Sequence, residues 1–176
     1  MSIRFAKAEA ERIIEGFGFS LESLPIDVKT IAKALNLSVV EAELDDDVSG
    51  LLVAKQNSDD QVHIFVNKTD SLVRKRFTIS HEIGHHVLGH KFEDSGVHVD
   101  RGNHVIPRKT NSGIIEQREV EANEFAACLL MPSKLVLTLV KEISGPFFDH
   151  HVTELATTFK VSEQAMTIRL SRLGIL

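Results

Sequence analysis

Apolar and polar positions along the chain change their period several times, and each period predicts a different kind of element. Apolar residues spaced three and four apart predict amphipathic helices, whereas strict alternation or a short valine-rich run predicts strands. The first helix is ended by Gly16 and Gly18, and the second follows Pro25. In chain order the pattern predicts helices Ile3–Phe17 and Asp27–Leu35, strands Leu37–Ala42, Leu51–Ala54 and Val62–Val66, and helices Leu72–Leu88, Arg118–Met131, Ser133–Ile143, Val152–Phe159 and Glu163–Leu173.

The segment 91–117 interrupts this series, because it has little periodicity and contains several glycines. A long segment of this kind in a compact domain is usually a lid, a binding element or a disordered stretch. The strand Val62–Val66 alternates as a half-buried strand does, and we expect it to be a sheet edge that pairs with an extended substrate. The alternative is an interior strand.

Composition narrows the class of protein. The 176 residues, 43% hydrophobic, fit one domain, 1–176, with residues 148–176 as a C-terminal helical element inside it. A net charge of −5 argues against general affinity for phosphate backbones. Cys128 is the only cysteine, the N-terminus lacks the apolar core of a signal peptide, and no apolar run approaches the roughly 20 residues of a membrane span. We therefore expect a cytoplasmic protein.

The strongest chemical signal is His81-Glu82-Ile83-Gly84-His85. On a helix, residues four apart lie about 40° from each other, so His81 and His85 point to the same side and can hold one zinc ion. Manganese is an alternative metal for such ligands. Glu82 lies about 100° from His81 and can reach a metal-bound water as general base. A chance match on an exposed helix is the alternative interpretation.

A second helix is predicted to supply the third ligand. Ser80 and Gly84 form a small-residue groove on the first helix, in which another helix can lie closely. Glu119 and Asn123, four residues apart on the downstream helix, share a face, so Glu119 can bind the metal while Asn123 orients a ligand. Glu121, about 160° away, is expected to face solvent. An acidic solvated face is the alternative for this whole stretch.

Other polar residues are candidates for binding substrate or the oxyanion. The chain has no tyrosine, so a histidine or arginine must supply any side-chain donor. His98, Arg101 and His104 of the segment 91–117 are the candidates. His86 can line the cleft, although a partly buried histidine bonded to a backbone carbonyl is the favoured interpretation. His90, which follows Gly89, is expected to pair with the carbonyls at the end of the helix.

The sequence HEIGHH, followed by EVEANEFAACLLMP, resembles the ImmA/IrrE family of metallopeptidases. Residues 76–80 and the closing Val161-Ser162, Arg169-Leu170 and Leu173-Gly174 fit the same pattern, so the resemblance extends from about Pro25 to the C-terminus. It implies an α+β, helix-rich, zincin-like fold with a small antiparallel or mixed sheet, and a gluzincin-type zinc site. It also implies cleavage of a partner helix-turn-helix repressor. The segment 91–117 is long for this family.

Two other functions remain open. The last two predicted helices resemble a helix-turn-helix, which favours a DNA-binding regulator, but the only basic residues from position 152 onwards are Lys160, Arg169 and Arg172. We therefore expect no direct DNA binding. The other alternative is a protein-binding regulator with a zinc site and no proteolysis. Glu82 argues against it, because a structural zinc site needs no carboxylate beside its ligands.

Overall fold

Seven α-helices and four strands lie in the residues that the computed structural model describes, which are 2–53, 61–90, 97–101 and 112–176. Most predicted elements are present within one to three residues of their expected bounds, and a short 3₁₀ turn at Leu21–Ser23 was not predicted. The elements are α1 (Ile3–Phe17), α2 (Val28–Ala34), β1 (Leu37–Ala42), β2 (Val48–Val53), β3 (Val62–Asn67), α3 (Leu72–Val87), β4 (Val97–Arg101), α4 (Ser112–Leu130), α5 (Ser133–Glu142), α6 (Asp149–Phe159) and α7 (Glu163–Arg172).

The four strands form one mixed sheet in the order β1-β3-β2-β4. β1 pairs with β3 in parallel, while β2 is antiparallel to both β3 and β4. The prediction that Val62–Val66 is an edge strand is therefore wrong. Ile64 and Val66 of β3 are fully buried, as expected for a strand with neighbours on both sides.

The segment 91–117 is not wholly irregular. It contains β4, which pairs with β2, and the first turns of α4, which begins at Ser112 rather than near Arg118. β4 is the last strand of the described sheet, and its His98 contacts Glu82 of α3. Residues 91–96 and 102–111, and with them His104, lie outside the described residues.

α3 is set closely against the sheet. Its N-cap is Ser71, whose hydroxyl accepts a hydrogen bond from the Arg74 amide at 3.3 Å. Gly50 of β2 allows the close approach, because a Cβ atom there would lie 2.3 Å from the Thr78 methyl carbon and 3.0 Å from the Phe65 carbonyl oxygen. The buried second half of α3 therefore lies directly over the sheet, and this is the half that carries the His-Glu motif.

α4 lies across α3 at the predicted small-residue groove. A Cβ at Gly84 would be 3.0 Å from a Phe125 ring carbon and 3.3 Å from the Ala122 Cα and carbonyl oxygen. Phe125 and Ala122 are fully buried, and α1 packs on another side of α4. No single described helix has the length and apolar composition of a membrane span; one bent pair, Glu116–Leu130 with Ser133–Glu142 at 47°, meets those criteria jointly.

The C-terminal helices α6 and α7 are joined by a short turn in which Lys160 has a left-handed backbone (φ 49°). Buried Arg169 of α7 fastens them to the rest of the fold by donating to the Met131 carbonyl and the Ser133 hydroxyl, both at 2.9 Å. Arg172 forms an ion pair with Glu124 of α4. The C-terminal pair is thus packed against α4 and α5.

Candidate metal centre

His81 and His85 occupy one face of α3, one turn apart. Both side chains are buried, with only 1% of their surface exposed, and their Nε2 atoms lie 2.9 Å from each other. Helical spacing alone brings the two rings together, as the sequence predicted, while burial between α3, α4 and β4 removes them from water. Burial lowers the pKa of His85 to about 3, although its contact with Glu119 opposes this effect. A neutral imidazole is the form that binds a metal.

Glu119 of α4 completes a group of three potential ligands. One carboxylate oxygen, Oε2, lies 3.2 Å from His81 Nε2, and the other, Oε1, lies 3.3 Å from His85 Nε2. One ligand atom from each of the three residues lies within 4.8 Å of the others. Ligands about 2.0–2.2 Å from a tetrahedral zinc ion are about 3.3–3.6 Å apart. Two imidazoles and a carboxylate at nearly these separations fit a catalytic zinc, which takes three protein ligands and keeps one open position.

Asn123, one turn after Glu119 on α4, contacts the far side of the His81 ring. Its side-chain oxygen lies 3.0 Å from His81 Nδ1. An amide oxygen only accepts, so Nδ1 carries the proton and Nε2 is left with a lone pair directed at the site. This is the contact expected of a residue that orients a metal-binding histidine.

Glu82 follows His81 on α3 and is fully buried. Its Oε2 is 3.3 Å from His98 Nδ1, whereas its Oε1 has no hydrogen-bond partner among the described residues. A buried carboxylate oxygen without a partner costs free energy, unless a water or substrate proton fills the position. This arrangement suits a residue that accepts a proton at the metal site.

His98 of β4 lies between the two carboxylates. Its Nδ1 faces Glu82, and its Nε2 is 3.1 Å from a Glu119 oxygen. Burial alone would lower the pKa of His98, but hydrogen bonds to Glu119 and Glu82 outweigh it and raise the pKa to about 10. Burial likewise opposes ionisation of Glu119, yet hydrogen bonds from His81, His85 and His98 hold its pKa well below the usual range. The His98 ring therefore lies within hydrogen-bond distance of two carboxyl groups of the site, those of Glu82 and Glu119.

Other candidates lie elsewhere. His86 lies on α3 with much of its side chain exposed, and burial of the remainder lowers its pKa. Arg101 ends β4, where its backbone pairs with Val48. His104 lies outside the described residues.

The predicted surroundings of Glu121 and His90 are wrong. Glu121 does not face solvent, since only 2% of it is exposed. The His90 ring does not pair with the carbonyls that end α3: its Nδ1 lies 2.9 Å from His85 Nδ1, and its Nε2 lies 3.1 Å from a Glu121 oxygen. Helical spacing could not reveal this contact, because it joins residues on two elements behind the ligand-bearing face.

Comparison with known proteins agrees with this geometry. Residues 32–171 match the Peptidase_M78 family model, described as the IrrE N-terminal-like domain. Since the match covers most of the chain, the protein belongs to this metallopeptidase family. Among solved structures, a Mycobacterium tuberculosis transcriptional regulator is similar, with a TM-score of 0.63 and 16% sequence identity. The alignment covers 97% of this chain and 48% of that one, so this chain spans about half its length. Comparison with functionally curated proteins gives no significant match.

Proposed function

We propose that this protein is a zinc-dependent endopeptidase. The observation that carries the proposal is the position of Glu82, a fully buried carboxylate that follows His81 on α3 and is linked to Glu119 through His98. A structural zinc site closes with a fourth protein ligand and needs no neighbouring base, whereas a hydrolytic site needs an open position and a proton acceptor. Membership of a metallopeptidase family supports the same conclusion.

In this proposal His81, His85 and Glu119 hold the ion. When bound there, zinc supplies Lewis acidity that brings the pKa of a bound water to about 7 and polarises the substrate carbonyl. Glu82 accepts the proton of the attacking water through Oε1 and passes it to the leaving amine nitrogen. His98 already bonds Glu82 and Glu119 through its two nitrogens, so we assign it to holding the Glu82 carboxylate in place.

The substrate is proposed to be a protein, in an extended conformation along β4. This strand ends the described sheet and carries His98 into the site, so a peptide beside it lies next to Glu82. We propose further that the substrate is a helix-turn-helix transcriptional repressor, whose cleavage relieves repression. The family and the similarity to a regulator's structure support a link to transcription.

The experiment compares wild type with Glu82→Gln. Glutamine has nearly the same shape but cannot accept a proton near neutral pH, so zinc content and partner binding should be retained while cleavage falls at least ~10²–10⁴-fold. Zinc content is measured by metal analysis, and cutting of a repressor encoded beside the gene is mapped by mass spectrometry. Cleavage by the variant at the wild-type rate would contradict the role of Glu82. If wild type binds the partner and never cuts it, the alternative function, a protein-binding regulator with a zinc site and no proteolysis, is correct instead.

A further inference from the structure

A chain of buried hydrogen bonds runs away from the metal site behind His85. His85 Nδ1 lies 2.9 Å from His90 Nδ1, and His90 Nε2 lies 3.1 Å from Glu121 Oε2. The other oxygen of Glu121 accepts from the Gln117 side-chain amide at 3.0 Å. His85, His90 and Glu121 are all buried, with at most 8% of each exposed. His90, Glu121 and Gln117 thus follow one another in a hydrogen-bonded series behind the His85 ring.

The carboxylate at one end of this hydrogen-bond series determines which atom donates in each hydrogen bond. A carboxylate accepts hydrogen bonds only, so His90 Nε2 carries a proton and donates it to Glu121. In a neutral ring the other nitrogen of His90, Nδ1, then has a lone pair. It can only accept, so the proton between the two rings belongs to His85 Nδ1. As a result His85 Nε2 presents its lone pair to His81 and Glu119, as a metal ligand must.

The local backbone builds this contact. α3 ends at Val87, and Gly89 adopts a left-handed conformation (φ 63°) that turns the chain back. The amide of His90 consequently donates to the carbonyl of His85 at 3.0 Å, which places the two residues side by side. α4 then supplies Glu121 from the face opposite Glu119.

We propose that His90 and Glu121 are positioning residues of the metal site, forming a relay from Glu121 through His90 to His85. The relay fixes the tautomer and ring orientation of His85, as Asn123 does for His81, and makes His85 a stronger electron donor. The inference rests on the proposed metal site. Outer partners of this kind typically alter metal affinity by about 10–100-fold when removed.

Two substitutions at His90 separate this role from simple packing. In His90→Asn the side-chain oxygen can take the place of Nδ1 and accept from His85, so zinc affinity should stay within several-fold of wild type. His90→Leu keeps an apolar filling of the buried space but removes the acceptor, so affinity should fall by about 10–100-fold. If His90 only fills space, leucine should serve better than asparagine, and the order would reverse.

Zinc affinity is measured by competition with a chromophoric chelator, and melting of the metal-free proteins shows that each variant folds. A matched pair on α4 gives a second test that does not depend on the folding of the leucine variant. Glutamine at 121 keeps the shape of glutamate but replaces the charged carboxylate by a neutral amide, which is a weaker acceptor for His90, so Glu121→Gln should lose about tenfold in affinity. Glu116→Gln removes the same charge from an exposed position on the same helix and should leave affinity unchanged.

Zinc binding by the wild type separates failure of the proposed metal site from failure of the relay. Wild type that takes up no zinc would overturn the metal site itself. Wild type that binds zinc, with His90→Leu or Glu121→Gln equally tight, would overturn the relay alone.

Discussion

At the scale of single residues, surroundings determine what each histidine can do. His85 and His98 lie in the same site, yet burial lowers the pKa of His85 to about 3 while two carboxylates raise that of His98 to about 10. The first is therefore a neutral ring suited to binding a metal, and the second is a cation that holds carboxylates.

Glu119→Ala is expected to abolish tight zinc binding, because it removes one of three ligands. The loss should exceed the about 10–100-fold that removal of an outer partner costs. Glu116→Ala, which lies three residues earlier on α4 and is exposed, serves as the control and should bind zinc like wild type. Metal content and chelator competition decide the matter. Tight binding by Glu119→Ala would rule out this residue as the third ligand.

At the scale of elements, the site depends on how closely α3 and α4 approach. The two helices supply all three proposed ligands, and they nearly touch at Gly84, where the Ala122 backbone would be 3.3 Å from an added Cβ. Backbone atoms cannot move aside as a flexible side chain can. The glycine therefore sets the separation of His81 and His85 from Glu119.

Gly84→Ala is expected to destabilise the protein, although alanine is favoured over glycine in helices by about 1 kcal/mol. Overpacking against Phe125 and Ala122 typically costs about 1–3 kcal/mol and pushes α4 away from α3. Gly16→Ala in α1 is the control, since a Cβ there meets nothing within 4 Å, and it should be neutral or stabilising. Urea denaturation of both variants tests this. Equal stabilisation by the two changes would refute the tight contact.

The start of α2 gives a pH-dependent prediction. Asp27 caps this helix, accepting from the Lys29 amide at 3.0 Å and the Thr30 hydroxyl at 2.7 Å. The Thr30 hydrogen bond, which outweighs partial burial, lowers the pKa of Asp27. A lowered pKa in the folded state means that the carboxylate stabilises the fold above its unfolded pKa, and that this stabilisation is lost as pH falls through the folded value.

Asp27→Ala should therefore cost about 1 kcal/mol at pH 7, as loss of a helix cap usually does. The difference between wild type and variant should shrink as pH falls below about 4. Unfolding free energies from urea titrations at several pH values provide the measurement. A difference that stays constant into acid would show that the charge of Asp27 contributes nothing.

At the scale of the whole molecule, the C-terminal helices serve as part of the packed structure. Of the three basic residues in this region, Arg169 is buried and donates hydrogen bonds to the Met131 carbonyl and the Ser133 hydroxyl, and Arg172 pairs with Glu124. Lys160 lies exposed in the turn between the helices. Little positive charge is left to face a phosphate backbone.

We accordingly expect no sequence-specific binding to operator DNA at physiological salt. Specific complexes need clustered basic contacts, and their affinity falls steeply with salt as counterions are released. A gel-shift titration of the whole chain with operator DNA checks this, with the proposed repressor as the positive control. Nanomolar, salt-sensitive binding by this protein alone would favour the DNA-binding regulator instead.

The sequence by itself determined the elements and one face of the site. Helical spacing predicted that His81 and His85 point together, the small residue at 84 predicted a close second helix, and Glu119 with Asn123 was predicted to arrive on it. Each inference needed only the period of one helix. The resemblance of two motifs to the ImmA/IrrE family extended the prediction to a metallopeptidase family, which the family model confirmed.

Only the tertiary structure decided which groups meet across elements. β3 became an interior strand because β1 pairs on one side of it and β2 on the other. His98 reached Glu82 and Glu119 because β4 ends the described sheet beside α3. Glu121 was expected in water because it lies opposite Glu119 on α4, but His90 covers it. Periodicity reports the faces of one element, whereas these contacts depend on what packs against each face.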